Sequence, residues 1–384
     1  YDLTVEVPEP YRAVATGRLA KETVYRGDYR ASFTSDHSGE MPSVFAGPYK
    51  IAERRDGDLR IRTYLHSELA SLADEYMEEA ATYIRRYAEQ IGPYPYADFH
   101  IVSAPLPVGL GFPNLTYVGR MVLPLPFMRG RSLAHEILHN WWGNGVAVDY
   151  DRGNWAEGLT TYLADYAVAE DQGEEAARKM RLGWLRNLAA LPPEQDMPVE
   201  SFTVKRHDAA QVVGYDKVAL IFHMLKAEVG DKAFASGLRR FWEDRRFRVA
   251  GWSDLQSAFE STAGRDLVWF FDQWLGRAGA PRIELINAES SNANGEHRVT
   301  LTIRQSSPAY RIRLPIIVDA ARGSRRYEVA LEQTEQTIEL TMGQKPLAVH
   351  IDPDFGVLRN LLAGESPPIV RDVTLSAETV LVVA

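Results

Sequence analysis

The chain of 384 residues contains no cysteine. Disulfide bonds and thiolate metal ligands are therefore excluded, and any bound metal must be held by histidine, aspartate or glutamate. The sequence has no run of basic residues and its net charge is −9, which argues against nucleic acid as a partner. No apolar run approaches the ~20 residues that a membrane-spanning helix requires, so no membrane span is expected in this chain.

The composition is otherwise ordinary for a globular protein, with 45% apolar and 25% charged residues. At this length the chain can form two or three domains around a large buried core. It opens directly on a strand-like pattern, YDLTVEVPEP, with no signal peptide. We therefore expect a segment of a longer, bacterial-type precursor, and both a cytoplasmic and an exported location stay open, as does the oligomeric state.

The hydrophobic pattern predicts an α+β chain in three parts. Residues 1–66 alternate apolar and polar positions between Pro and Gly clusters, which is typical of β-strands. Residues 67–280 are mainly helical, apart from a strand at DFHIVSAPL. Residues 281–384 return to alternation, and five short runs there predict a small antiparallel β-sandwich, followed by a tail that ends on an apolar strand.

The segment SLAHEILHNWW, residues 132–142, contains two histidines four positions apart, His135 and His139. Residues at this spacing share one face of a helix, so both imidazoles can be directed at one point. Glu136 lies beside them and could take a proton from a water molecule at that point. This is the HExxH pattern of zinc sites, although a buried helix whose histidines bond to the backbone is the alternative.

A zinc site of this kind needs a third protein ligand. Seventeen residues separate His139 from Glu157. Asn154 is a natural N-cap, which would place Glu157 in the first turn of the next helix. An isolated glutamate there usually just favours the helix dipole, but after an HExxH helix and a short turn we interpret it as the third ligand. The metzincin pattern HExxHxxGxxH fails, because Trp142 and Gly145 occupy its last two defined positions.

The segments HEILHNWWGN and WAEGLTTYLADY together resemble the M1 family of zinc metallopeptidases, gluzincins of the aminopeptidase N type. The family pattern has eighteen residues between HExxH and the glutamate. We interpret the seventeen found here as a one-residue deletion in the turn around 146–153. The resemblance implies one Zn²⁺ per chain, bound by His135, His139 and Glu157, with Glu136 as general base.

Two related groups fit less well. The thermolysin and neprilysin branches place an aspartate four residues after the third ligand, where this chain has Thr161. The M61 peptidases share the EGxTxY pattern but lack WWGN, which makes them the second choice.

The segment VVGYDKVALIFHML resembles the YxKGAxxLxxL segment of the M1 family. The resemblance implies that Tyr215 donates a hydrogen bond to the oxyanion of the tetrahedral intermediate, where a phenol stabilises charge that develops in the transition state. The alternative is that Tyr215 only packs. His207 and His223 are the histidines nearest to Tyr215 in sequence, and we treat both as structural.

The chain departs from the family upstream of the zinc helix. M1 aminopeptidases carry a GxMEN motif whose glutamate binds the free α-amino group of the substrate. Here the stretch is PVGLGFPNLTYVG, which has no glutamate, and alignment on Gly109 puts Gly111 at the methionine and Phe112 at the glutamate of the motif. The main-chain groups from Gly109 to Phe112 could still bind a substrate as an added strand. A glycine-rich structural turn is the alternative.

The resemblance covers most of the chain. It implies that residues 1–66 are the end of an N-terminal β saddle domain, 67–280 a thermolysin-like catalytic domain, and 281–384 a β-sandwich domain and tail. The function implied is hydrolysis of a peptide substrate, with exopeptidase or endopeptidase action undecided. The alternative is a peptide-binding or scaffold module on an M1-like fold with little turnover.

Overall fold

The computed structural model describes residues 1–37, 39–204, 208–293, 295–362 and 364–366. The chain forms two compact units. The first contains residues 1–151, 155–168 and 232–265, and the second contains residues 152–154, 169–231 and 266–384. The apolar strand predicted at the end of the tail lies outside the described residues, as does His207.

The elements of the first part of the chain follow the predicted order of strands, helix, strands and helices. They are β1 (Asp2–Pro8), β2 (Arg12–Ala15), β3 (Arg18–Tyr25), β4 (Asp28–Thr34), β5 (Val44–Gly47), β6 (Lys50–Asp56), β7 (Leu59–Leu65), α1 (Ala73–Gln90), β8 (Asp98–Ala104), β9 (Gly109–Phe112), β10 (Leu115–Gly119), α2 (Leu133–Leu138), β11 (Trp142–Gly143), β12 (Val146–Val148), α3 (Ala156–Thr160) and α4 (Ala167–Asp171).

Helices and then strands make up the rest of the described chain. They are α5 (Glu174–Ala189), α6 (Asp208–Gln211), α7 (Val218–Val229), α8 (Asp231–Arg245), β13 (Val249–Ala250), α9 (Trp252–Ala263), α10 (Val268–Gly276), β14 (Ile283–Ala293), β15 (Glu296–Gln305), β16 (Ile312–Ala320), β17 (Gly323–Leu331), β18 (Glu335–Met342) and β19 (Pro346–Ile351). Three segments of the described residues are π-helical, with turns wider than those of an α-helix: Met128–Ser132, Thr161–Tyr166 and Val212–Lys217.

A five-stranded sheet in the order β6-β7-β8-β10-β9 supports the site in the first unit. Strand β10 runs parallel to β8 and antiparallel to β9. The central strand of the sheet, β8, is buried along its whole length, including the polar residues Asp98 and His100. Strand β9 lies at the edge of the sheet, so among the described residues it has a partner strand on one side only.

Aromatic side chains fill the core of the first unit below the HExxH helix. Trp141 and Trp142 are fully buried, as we expect for large aromatic residues in a core. The ring of Trp142 contacts Trp155 and Phe241 at centroid distances of 6.1 and 5.7 Å. Helix α2 ends at Leu138, and Trp142 begins the short strand β11.

The second unit contains the predicted β-sandwich. Its two antiparallel sheets have the orders β14-β15-β18 and β17-β16-β19. The five predicted strands are present, and β14 is an additional strand that the sequence analysis missed. Nearly all of its side chains beyond Ile283 and Glu284 are exposed, so its sequence shows no alternation between apolar and polar residues.

The observed order of a β-rich N-terminal part, a helical middle and C-terminal strands confirms the predicted fold class. Residues 67–280 contribute to both compact units, and domain boundaries at residues 66 and 280 stay a prediction. Among the helices in the described part of the chain, none has the length and apolar character needed to cross a bilayer.

Candidate metal centre and active site

The first two candidate ligands come from helix α2 and its C-terminal residue. Leu133, Ala134, Ile137 and Leu138 are buried and fix which face of the helix packs on the core. His135 and His139 lie on the opposite, partly exposed side, and the backbone N–H of His139 donates to the carbonyl of His135 at 3.3 Å. Their ring centroids are 4.9 Å apart. The spacing therefore brings the two imidazoles together as the sequence predicts.

The third candidate ligand, Glu157, lies in the first turn of α3. Its Oε2 atom is 3.6 Å from Nε2 of His135 and 3.5 Å from Nε2 of His139. The expected N-cap is wrong, because α3 begins after Trp155 and the amide of Asn154 instead donates to the carbonyl of Thr203. The missing cap does not move Glu157 from the first turn.

His135, His139 and Glu157 form a group that could hold a metal ion, with ligand atoms within 4.8 Å of one another. A tetrahedral ion with bonds of about 2.0–2.1 Å has ligand-to-ligand distances of about 3.3–3.4 Å. The separations of 3.5 and 3.6 Å between Glu157 and the two imidazoles come close to that value. Two imidazoles and one carboxylate also leave a fourth position open, as in catalytic zinc sites. These residues therefore fit zinc.

Partners on the far side of each imidazole determine its orientation. Nδ1 of His135 lies 2.6 Å from Oδ2 of Asp165, and Nδ1 of His139 donates to the carbonyl of Trp142 at 2.9 Å. A proton held on Nδ1 in each ring leaves Nε2 free to bind a metal, and such partners hold metal-binding imidazoles in position.

Asp165 is a site residue that the sequence analysis missed. The position four residues after Glu157, where related peptidases carry an aspartate, is the buried Thr161. The helix widens into a π-helical turn across Thr161–Tyr166, which changes the positions that share a face with Glu157. Asp165 reaches His135 from this turn, and its Oδ1 atom also lies 3.3 Å from Nε of Arg131.

Burial and neighbouring charges shift the pKa values of three groups of the site, Glu157, Glu136 and His135. Burial alone would raise the pKa of Glu157, but the charges and hydrogen bonds of His139 and His135 together hold that pKa well below its usual range. Burial raises the pKa of Glu136, although the two histidines oppose this shift. Burial would lower the pKa of His135, but Asp165 outweighs it and the pKa is raised.

The carboxylate of Glu136 lies against strand β9. A Cβ atom placed on Gly109 would be 2.9 Å from Oε1 of Glu136, and one placed on Gly111 would be 3.2 Å from Oε2. Phe112 is partly buried and packs on Phe45 at a ring distance of 5.7 Å. The two glycines therefore bring the main chain of the edge strand directly onto the candidate base.

Tyr215 lies in the π-helical segment Val212–Lys217, just before α7. Its ring meets Phe202 edge-on at a centroid distance of 6.3 Å. Tyr215 belongs to the second compact unit, whereas the three candidate ligands belong to the first. Its role as an oxyanion donor stays a prediction.

Part of the chain is similar in sequence to known peptidases and aminopeptidases. Residues 131–274 match the peptidase family M1 domain. Aminopeptidase N of Haemophilus influenzae is 28% identical over 182 residues, which cover 46% of this chain and 20% of that protein. Tricorn protease-interacting factor F2 of Thermoplasma volcanium is 22% identical over 327 residues, covering 79% of this chain and 40% of that protein.

A solved structure shares the fold of almost the whole chain. Legionella pneumophila aminopeptidase A, crystallised in complex with aspartic acid, superposes with a TM-score of 0.76 at 18% identity. The match covers 98% of this chain and 46% of that one, so this chain spans less than half the length of the proteins that it resembles. Residues 131–274 therefore correspond to a peptidase family M1 domain, and almost the whole chain shares its fold with the aminopeptidase A structure.

Proposed function

We propose that this chain is a zinc-dependent peptidase whose metal ion is held by His135, His139 and Glu157. The main support is the approach of Glu157 Oε2 to both Nε2 atoms, at 3.6 and 3.5 Å, with each Nδ1 atom engaged elsewhere. A site of two imidazoles and one carboxylate suits zinc rather than calcium or magnesium, which prefer oxygen ligands. Zinc, when bound, polarises a carbonyl group and makes a water molecule more acidic.

Glu136 is the proposed general base. It lies next to the two histidines in sequence and space without being one of the grouped ligands. It takes the proton of the attacking water and delivers it to the nitrogen of the departing amine.

Tyr215 is the proposed donor to the oxyanion. The support is its place in VVGYDKVALIFHML, which resembles the corresponding M1 segment. A phenol donates one hydrogen bond and stays neutral at physiological pH. It therefore stabilises the negative oxygen without adding a charge that would bind the ground state.

Treatment with a chelator tests the proposed function. Hydrolysis of a mixed peptide library should stop when the metal is removed and return when Zn²⁺ is added. A protein that binds peptides but never cleaves them, with or without zinc, would be the peptide-binding or scaffold module instead. A protein that purifies free of metal and cannot take up zinc would exclude both the metal site and the peptidase.

A further inference from the structure

Strand β9, Gly109–Phe112, has features that determine which substrates can reach Glu136. It pairs with β10 through Gly109↔Val118 to Phe112↔Leu115, and it is the last strand of its sheet. Main-chain N–H and C=O groups on the other side of an edge strand are available to a further strand. An extended peptide can add there with regular hydrogen bonds.

The two faces of β9 differ in character. Gly109 and Gly111 face Glu136, and no side chain at these positions separates the strand from the base. Leu110 alternates with them within the strand and therefore points to the opposite face, and Val108 immediately precedes the strand. The exposed fractions of Val108 and Leu110 are 43% and 44%, and that of the nearby Leu106 is 62%. Exposed apolar residues grouped beside a candidate active site indicate contact with an apolar ligand.

The same stretch of chain has no acidic residue. None of positions 99–130 is Asp or Glu. Among the described residues next to Glu136, the carboxylate of Glu157 approaches both histidines and that of Asp165 binds His135 and Arg131. A substrate ammonium group that leaves water needs a carboxylate partner. Strand β9 provides none, and instead offers main-chain groups and apolar side chains.

We infer that the substrate is an apolar stretch inside a longer polypeptide, which adds to β9 and continues beyond both sides of the bond that is cleaved. This inference rests on the proposed peptidase function and assigns it a substrate class. Hydrolysis breaks the internal C–N bond. Water supplies OH to the carbonyl carbon and a proton to the nitrogen, which leaves a new carboxylate and a new amino terminus.

Leu110 and Val108 select the substrate by contact with side chains on the same face of the added strand. Directly opposed and diagonal neighbours on paired strands touch one another. Apolar side chains at alternate positions of the peptide therefore lie against Val108 and Leu110. The remaining positions of the peptide face Glu136 and the metal ligands.

Four peptides of one sequence test the inference with the zinc-loaded protein. The first is N-acetylated and apolar at alternate positions, and the second is the same peptide with a free amino terminus. The third has serine at the apolar positions, and the fourth carries N-methyl groups on the amides that would pair with β9. We expect the first two to be cleaved at the same internal bond with kcat/KM values within about threefold, and the other two at least about tenfold more slowly. Mass spectrometry of the products identifies the bond.

Leu110→Ser tests the apolar contact, with Leu347→Ser as its control. Leu347 lies in the second unit and is 66% exposed. Leu110→Ser should lower the preference for the apolar peptide over the serine peptide about tenfold, and Leu347→Ser should leave the preference as it is. Thermal unfolding of both variants shows whether they fold.

Binding separates a failure of the inference from a failure of the proposed function. Zinc-loaded Glu136→Gln should bind the labelled acetylated peptide, as measured by fluorescence anisotropy, and should bind the N-methylated peptide at least about tenfold more weakly. If the wild-type protein binds the peptide tightly but does not cleave it, the proposed peptidase function is contradicted and the peptide-binding site at β9 is supported. Two results would overturn the inference without contradicting the proposed peptidase function. One is cleavage restricted to the first residue of peptides with a free amino terminus. The other is equal binding of the methylated and unmethylated peptides.

Discussion

Oδ2 of Asp165 lies 2.6 Å from Nδ1 of His135, on the side of the ring that faces away from Glu157. The carboxylate keeps the proton on Nδ1, orients the ring and makes Nε2 a stronger ligand. Asp165→Asn should therefore lower zinc affinity by about 10–100-fold, as measured by competition with a chromogenic chelator. The exposed Asp151 is the control, since Asp151→Asn removes the same charge without touching a candidate ligand. Equal affinities in the two variants would show that Asp165 does not support the metal site.

Glu136 and Glu157 should respond differently to the same substitution. Glu136→Gln should keep full zinc content and lose hydrolysis by at least about a hundredfold, because an amide cannot act as the general base. Glu157→Gln should lose zinc itself, because a neutral amide oxygen is a weaker ligand than a carboxylate. Metal analysis of both purified variants, beside peptide hydrolysis, measures the two effects. Full activity of Glu136→Gln would assign the base to another residue.

Tyr215→Phe removes one hydroxyl group. If the phenol stabilises the oxyanion, kcat should fall by about a hundredfold or more while zinc content and KM change little. Tyr25→Phe is the control, since Tyr25 is highly exposed and lies in the N-terminal strands. A Tyr215→Phe variant with unchanged kcat would assign Tyr215 to packing against Phe202.

Gly111→Ala should impair the site through crowding. The added methyl group would lie 3.0 Å from the carbonyl oxygen of Glu136 and from Cβ of His139, closer than ordinary contacts. Strand β9 or the zinc helix must move, and we expect lower activity together with a lower melting temperature. Gly183→Ala is the matched control, because Gly183 lies in helix α5 with nothing within 4 Å of a Cβ atom. That variant should be as stable as the parent or more so. Gly111→Glu should show the crowding more strongly, because a longer side chain would meet the same atoms of Glu136 and His139.

His100 should make stability depend on pH. Its imidazole is completely buried in β8, and neither ring nitrogen has a hydrogen-bond partner among the residues that the structure describes. Burial lowers the pKa of His100 to about 3. Between about pH 3 and the unfolded value near 6.5, the unfolded chain binds the proton and the folded chain does not. The free energy of unfolding should therefore rise with pH across this window and fall as the pH is lowered through it.

Replacement of His100 tests that dependence. His100→Phe should reduce the slope of unfolding free energy against pH by up to about 1.4 kcal/mol per pH unit. The ring lies among aromatic neighbours, Phe33 at 6.4 Å and Tyr64 at 5.7 Å, which suits a phenyl group. His297→Phe is the control, because it replaces a histidine that is partly exposed. Urea unfolding from pH 4 to 7 gives both slopes, and an unchanged slope in His100→Phe would mean that the buried imidazole is protonated.

The sequence predicted the parts of the site that depend on local geometry. His135 and His139 meet because four residues make about one helical turn, and Glu157 follows from a short connection to the next helix. Asp165 could not be found in this way, because its position depends on a π-helical turn that has no simple sequence pattern. The assignment of Asn154 as N-cap failed for a similar reason, since its amide binds Thr203, 49 residues away.

In the fold, too, the elements set by local sequence patterns were predicted, and those set by contacts between distant segments were not. Strands with one buried face were predicted, whereas β14 was missed because most of its side chains are exposed. The small sheet β11-β12-β13 pairs residues about a hundred positions apart, such as Ala147 with Val249, and its strands are too short to produce a period of two. The division into two compact units also depends on contacts between distant segments, which hydrophobic patterning does not report.

The three π-helical segments have a consequence for insertions and deletions. Each lies beside a functional segment: Met128–Ser132 before the zinc helix, Thr161–Tyr166 after Glu157, and Val212–Lys217 around Tyr215. A π-turn is equivalent to one extra residue in an α-helix, so loss of one residue could restore a regular helix at little cost in backbone hydrogen bonds. The side chains beyond the deletion would, however, rotate by about 100°. Asp165 would then leave His135 while the helix remained intact. We expect the connection between β12 and α3 to tolerate the loss of a residue, because it contains none of the candidate ligands. The wide turns should not tolerate such a loss, and natural length variation in related chains should avoid them.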